Sequence, residues 1–142
     1  MFHATTVAVD GRGLLVLGAS GRGKSSLALQ LIALGAVLVA DDSTWISCEK
    51  DVLQASAPDA IQGQIEARGV GLLTLPFVTD VPIYLAVDMD DDEPERLPHP
   101  HQVTVLGQTV PCLRRHAAPH FASALMLYLK TMKRHPDDRP KD

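Results

Sequence analysis

One eight-residue stretch near the N-terminus constrains the fold of this chain more than any other. It fits the pattern G-x-x-x-x-G-K-[ST] and consists of Gly18-Ala19-Ser20-Gly21-Arg22-Gly23-Lys24-Ser25. In this pattern the glycines let backbone N–H groups surround phosphate oxygens, the lysine supplies a positive charge, and the last hydroxyl can bind Mg²⁺. We therefore interpret residues 18–25 as a phosphate loop that binds a nucleotide.

The residues on either side of the phosphate loop have the patterns that this interpretation requires. Residues 14–17 are all apolar and predict a buried strand, and residues 26–34 carry leucines at helical spacing. Residues 36–40 predict a second buried strand. A strand, helix, strand unit usually brings the carboxyl ends of both strands to one edge of the sheet. Asp41 and Asp42 are therefore expected to face the phosphate loop.

The rest of the chain predicts a single α/β domain with a mixed sheet and flanking helices. A hairpin is expected from residues 7–10 and 14–17, and a second from residues 103–106 and 109–111 around Gly107-Gln108. Further predicted elements are strands at 44–47, 52–56, 71–75 and 83–87, a helical turn at 58–63, and a helix from Pro119 with Phe121, Leu125, Leu129 and Met132 on one face.

Two segments are predicted to lie outside the regular elements. The acidic run at residues 88–95 is typical of a solvated loop. Proline and aspartate dominate from His135 onward, which indicates a flexible tail over residues 135–142. Residues 1–134 are then expected to form the catalytic domain.

Composition excludes several classes of function. Hydrophobic residues make up 46% of the 142 residues, but no apolar run approaches the roughly 20 residues that a membrane-spanning helix needs. A formal charge of −4 argues against binding to nucleic acid. The two cysteines lack metal-site spacing, and the N-terminus lacks an export signal. We expect a cytoplasmic protein that binds neither nucleic acid nor membranes.

Acidic residues at two places in the chain are candidates for phosphoryl-transfer chemistry. This chemistry needs a phosphate clamp, Mg²⁺ and a group that accepts the proton of the acceptor hydroxyl. Asp41 and Asp42 can divide the metal and base roles between them in either order. Glu66 and Arg68 add a carboxylate and a guanidinium close to glycines that allow a ligand to approach the backbone. The later histidines have no partners at metal-site spacing and are interpreted as surface or core residues.

Taken together, these residues resemble the catalytic domain of the HPr kinase/phosphorylase family, bacterial serine kinases that act on the phosphocarrier protein HPr. The motifs that match in order and spacing are His3, the phosphate loop, Ala40-Asp41-Asp42, and Ile65-Glu66-Ala67-Arg68-Gly69-Val70-Gly71. The resemblance implies a fold like that of HPr kinase and PEP carboxykinase. It also implies ATP and Mg²⁺ as cofactors, HPr as the protein partner, a homo-hexamer, and a role in regulating carbon and nitrogen metabolism.

The resemblance also implies roles for individual residues. Lys24 and Ser25 would bind phosphate and Mg²⁺, Glu66 would be a second Mg²⁺ ligand, Asp42 would exchange the proton, and His3 would assist. Arg96 corresponds to the family's active-site arginine.

The chain departs from the family pattern in two places. We expect it to begin at the catalytic domain, as truncated alphaproteobacterial forms do, and the loop after the signature at residues 65–71 is shortened to residues 75–80. Residues 110–115 match the family's usual loop before the last helix only loosely. Because that loop is linked to the reverse reaction, we expect weak or absent phosphorylase activity.

Other classes of nucleotide-binding protein require features that differ from those of this sequence. A GTPase switch requires the motifs N-K-x-D and D-x-x-G after the phosphate loop, and the sequence has neither there. A small-molecule or nucleotide kinase commonly closes an Arg-rich lid, and the chain has no long insertion that could form one. That class and a non-catalytic nucleotide-sensing module remain alternatives.

Overall fold

The structure is a computed structural model that describes residues 1–132 of the chain. The predicted tail at residues 135–142 lies outside the described residues. The strands are β1 (Ala4–Val9), β2 (Arg12–Leu17), β3 (Val37–Ala40), β4 (Trp45–Glu49), β5 (Val52–Ser56), β6 (Gln64–Ala67), β7 (Gly71–Thr74), β8 (Val81–Asp92), β9 (His101–Val105) and β10 (Gln108–Arg115). The helices are α1 (Lys24–Ala33) and α2 (Phe121–Thr131), and a 3₁₀ turn spans Asp59–Ile61.

The central sheet is mixed and has the strand order β3-β1-β2-β8-β10-β9. β8 lies parallel to both β2 and β10, while β1 is antiparallel to both β2 and β3. The β4–β5 hairpin joins the start of β8 through β5, and β6 and β7 form a separate two-stranded sheet. The predicted fold class, a mixed sheet with flanking helices, is confirmed.

Alternation of side chains along the strands gives the sheet two buried faces. Val7, Leu14 and Leu85 lie on the face that packs against both helices, together with Leu27 of α1. On the opposite face, Leu15 and its neighbours pack under the β4–β5 hairpin. The predicted apolar stripe of the last helix is confirmed, because Leu125 and Leu129 are buried in the first cluster.

Two local predictions were wrong, and one strand was not predicted. The acidic run does not begin a loop, because β8 continues to Asp92. The second hairpin turns at Leu106-Gly107 instead of Gly107-Gln108, since Gln108 pairs with Val105 and both turn residues have positive φ. β6 was not predicted as a strand.

The predicted strand, helix, strand unit consists of β2, α1 and β3, and it differs from the prediction in one respect. β1 lies between β2 and β3, so the two strands are not neighbours. Both are antiparallel to β1 and therefore run in the same direction. The end of β3, followed by Asp41 and Asp42, thus reaches the same edge of the sheet as the phosphate loop. This prediction is confirmed.

Candidate active site

The phosphate loop connects β2 to α1 and has the backbone that its glycines allow. Gly18, Gly21 and Gly23 have φ angles of 150°, 84° and 90°, in the region that favours glycine. A Cβ atom at Gly18 would lie 3.0 Å from Cβ of Met89, because the loop begins in close contact with β8. α1 begins at Lys24, so its first N–H groups point toward the loop.

The Lys24 side chain lies inside the phosphate loop. Only 5% of Lys24 is exposed, and its Nζ donates to the carbonyl oxygens of Gly18 at 2.7 Å and Ala19 at 3.2 Å. An ammonium in this position has a fixed direction and can bind a phosphate oxygen that enters the loop. The structure thus places the lysine where the sequence motif predicts it.

Asp90 in β8 contacts two residues of the phosphate loop, and it was not predicted from the sequence. Its Oδ1 accepts a hydrogen bond of 3.0 Å from the backbone N–H of Ala19. Arg22 donates through Nη2 to the Asp90 carbonyl at 2.9 Å and lies 3.3 Å from Oδ1 through Nε. The only sequence signal was a carboxylate after a strand parallel to β2. The acidic composition of residues 88–95 instead predicts a solvated loop.

The Asp41 carboxylate contacts the end of the phosphate loop. Its Oδ1 accepts hydrogen bonds from Ser25 Oγ at 2.7 Å and from Thr5 Oγ1 at 3.1 Å. A hydroxyl and a carboxylate in contact at the start of α1 are oxygen donors of the kind that Mg²⁺ prefers, usually with few protein ligands and several from phosphates and water. These two side chains therefore fit the cation that the motif implies.

Asp42 lies next to Asp41 but has different partners. Its Oδ1 is 3.4 Å from Nδ1 of His3, and Nε2 of His3 is 3.2 Å from Oγ of Ser20. Both side chains are more than half exposed, at 61% for Asp42 and 51% for His3. His3 therefore connects the phosphate loop to a carboxylate that an external substrate can reach.

Thr5 positions both carboxylates, although no motif in the sequence includes it. Its side chain is fully buried in β1. The hydroxyl donates to Asp41 and also accepts a hydrogen bond of 3.1 Å from the backbone N–H of Asp42. Asp42 has a φ of 65°, a conformation that costs energy for a residue other than glycine. The Thr5 hydroxyl stabilises this bend between the two aspartates.

The other predicted site residues are not joined to this cluster by contacts. Glu66 and Arg68 are exposed, although the neighbouring Ile65 anchors β6 in the core beside α1. Arg96 is exposed in the segment after β8 and makes none of the hydrogen bonds or ion pairs found in residues 1–132. Within the same residues, no three His, Cys, Asp or Glu side chains form a cluster that could hold a metal ion.

The two cysteines are not candidates for a catalytic role. Cys48 is exposed, and Cys112 is buried in β10. Burial raises the pKa of the Cys112 thiol, and the charge of Asp88 raises that pKa further. A thiol with these surroundings is a poor nucleophile.

The fold of residues 1–132 defines the class of this protein, an α/β domain with a central mixed sheet and two helices. The model of the HPr serine kinase C-terminal domain family matches residues 1–79. This match covers more than half of the chain, and the chain belongs to that family. The resemblance inferred from the sequence motifs is confirmed.

Individual relatives agree with this assignment. The HPr kinase/phosphorylase of Caldicellulosiruptor bescii is 38% identical over 124 residues, which cover 78% of this chain and 40% of the relative. That of a Thermoanaerobacter species is 50% identical over 74 residues, 51% of this chain and 24% of the relative. The chain thus spans at most about 40% of the length of these relatives.

A solved structure supports the fold. The Hpr(Ser) kinase/phosphatase from Coxiella burnetii superposes with a TM-score of 0.76 at 24% identity, covering 91% of this chain and 93% of that chain.

Across residues 1–132, no helix has both the length and the apolar character that crossing a bilayer requires.

Proposed function

We propose that this chain is a serine kinase that uses ATP and Mg²⁺ to phosphorylate an HPr-type phosphocarrier protein. The observation that carries this proposal is the 2.7 Å contact between Ser25 and Asp41, beside the exposed pair of Asp42 and His3. A cation-binding pair and a separate carboxylate at one phosphate loop are the parts that phosphoryl transfer to a hydroxyl needs. The names of the relatives supply the substrate class.

The phosphate loop and Lys24 would hold the phosphates of the nucleotide. The N–H groups at the start of α1 bind phosphate oxygens, and the Lys24 ammonium neutralises part of their charge. Ser25 and Asp41 would hold Mg²⁺, with Glu66 as a proposed further ligand from β6. Mg²⁺, when bound, withdraws charge from the phosphate oxygens.

Asp42 would act as the general base for the serine hydroxyl. Its carboxylate is exposed, so an acceptor serine on another protein can approach it, and His3 fixes one oxygen by its contact at 3.4 Å. A positioned base that accepts this proton typically contributes roughly 10²- to 10⁴-fold to the rate. Asp41, which is engaged by two hydroxyls, is less free to do so.

Two further features of the family are proposed for this chain. The reverse reaction, phosphorolysis of the phosphoserine, should be weak, because residues 110–115 replace the loop linked to it. They form the last part of β10 instead. The chain should also assemble as a homo-oligomer, a hexamer by resemblance, and light scattering that showed only monomer at micromolar concentration would contradict this.

The proposal is tested by incubating the protein with ATP, Mg²⁺ and HPr from the same organism and locating phosphate by mass spectrometry. Phosphoserine on HPr is the expected result. Nucleotide binding without transfer would favour a nucleotide-sensing module instead, and transfer to a small molecule but not to HPr would favour a small-molecule kinase. HPr with its acceptor serine replaced by alanine is the control.

A further inference from the structure

A cleft of about 240 Å³ lies beside the phosphate loop, on the side away from Asp41 and Asp42. One wall is the first turns of α1, and the other is the segment of residues 115–121 that leads into α2. Met89 and Leu27 are buried apolar side chains in the cleft, and Phe121 and His116 supply aromatic rings. This volume approaches the lower end of small-ligand sites.

The charges around the cleft argue against a free anion as its ligand. Two guanidinium groups line it, from Arg22 and Arg115. Each is already paired with a carboxylate, Arg22 with Asp90 at 3.3 Å and Arg115 with Asp92 at 4.0 Å. An incoming anion would have to compete with these carboxylates. A flat, uncharged group with polar edges suits the apolar and aromatic walls better.

The position of the cleft relative to the two aspartates identifies the part of a ligand it would receive. Asp41 and Asp42 follow β3, at one side of the loop, whereas Met89 and Arg115 come from β8 and β10, at the other side. If the transferred phosphate lies beside the aspartates, the other end of the nucleotide must extend away from them. Ser26, directly after the loop, lines the cleft on that side.

We propose that this cleft binds the base and ribose of the nucleotide, an inference that rests on the proposed kinase function. Phe121 and His116 lie 6.5 Å apart, ring centre to ring centre, at a 64° angle. Because the two rings are steeply inclined, a planar base would stack on the face of one ring and meet the edge of the other. Met89 and Leu27 would exclude water behind it. Base contacts of this kind contribute roughly tenfold in affinity each, with little discrimination among bases.

The test compares the affinities of Mg²⁺-ATP and Mg²⁺-tripolyphosphate, which share the phosphates and differ in the nucleoside. The variants are His116→Ala, which removes an exposed ring from the wall, and Ala117→Trp, which fills the cleft from an exposed position. Ala124→Trp, at an exposed position of α2 outside the cleft, is the matched control. Titration calorimetry gives each dissociation constant, and thermal unfolding confirms that each variant folds.

We expect the native chain to bind ATP at least about tenfold more tightly than tripolyphosphate. His116→Ala and Ala117→Trp should remove most of this difference by weakening ATP alone, and Ala124→Trp should retain it. Equal binding of the two ligands by the native chain, or equal weakening of both by the cleft variants, would overturn the inference and leave the kinase proposal intact. Failure of the native chain to bind either ligand would overturn both.

Discussion

The hydroxyl of Ser25 donates a 2.7 Å hydrogen bond to the carboxylate of Asp41, which connects the end of the phosphate loop to the end of β3. This contact separates the roles of two adjacent carboxylates. Asp41 is directed toward the loop hydroxyl, and Asp42 is directed toward His3 and solvent. The sequence left the roles of the pair open, and the contacts favour Asp41 as the metal-side residue and Asp42 as the base.

Replacing each aspartate by asparagine separates binding from transfer. Asp42→Asn should keep the dissociation constant for Mg²⁺-ATP within a few-fold and lower the rate of HPr phosphorylation by roughly 10²- to 10⁴-fold. Asp41→Asn should instead weaken Mg²⁺-dependent nucleotide binding. Calorimetry and single-turnover phosphorylation measure the two quantities. Near-native transfer by Asp42→Asn together with loss of transfer, but not of binding, in Asp41→Asn would reverse the assignment.

Thr5 should matter to the site although it touches no predicted substrate. Thr5→Val keeps the side-chain shape but removes the hydroxyl that Asp41 and the Asp42 N–H both use. Leaving such a group unpaired costs about 1–3 kcal/mol, which denaturant unfolding measures. We also expect a lower turnover. Thr5→Ser, which retains the hydroxyl, is the control, and a Thr5→Val protein with native stability and turnover would contradict this role.

The sequence predicted the elements whose signals are local. The phosphate loop is a specific motif, and Leu27, Leu31, Leu125 and Leu129 recur at helical spacing, so the loop and both helices were predicted. The first hairpin was also predicted, although its two-residue turn is Asp10-Gly11. These features depend on residues close together in the chain.

Features that depend on distant residues were missed. β6 has only four residues, and its buried Ile65 and Ala67 alternate with Glu66 in a segment bordered by glycines. Asp90 follows Asp88, which pairs with Leu17 of β2, and this pairing of two distant segments brings the Asp90 carboxylate to Ala19. No local pattern distinguishes such a carboxylate from one in a solvated loop.

The contact of Asp90 with the phosphate loop can be tested by amide exchange. Asp90→Ala removes the acceptor of the Ala19 N–H, and we expect that amide to exchange about tenfold faster, as loss of a charge-assisted hydrogen bond allows. Asp91→Ala changes an exposed neighbour whose carboxylate accepts no hydrogen bond within residues 1–132, and it should leave the rate unchanged. Equal rates for Ala19 in all three proteins would mean that Asp90 does not hold the loop.

The two cysteines should differ in reactivity. Burial and Asp88 raise the pKa of Cys112, so its thiol stays protonated as the pH rises toward the usual thiol range. The exposed Cys48 should react with an aromatic disulfide reagent at pH 8, and Cys112 only after denaturation. Counting thiols in the native protein should therefore yield one. Reaction of both at similar rates, or of Cys112 in a Cys48→Ser protein, would argue against this environment.

The central claim is that the phosphate loop transfers phosphate from ATP to HPr, and Lys24→Ala tests it most directly. Lys24 lies inside the loop, whereas Lys130 is exposed at the end of α2 and provides the control Lys130→Ala. The measurement is the rate at which label from γ-labelled ATP appears on HPr serine, with thermal unfolding to confirm folding. We predict transfer by the native and Lys130→Ala proteins and none by Lys24→Ala. Transfer that persists in folded Lys24→Ala protein, or its absence from the native protein, would contradict the claim.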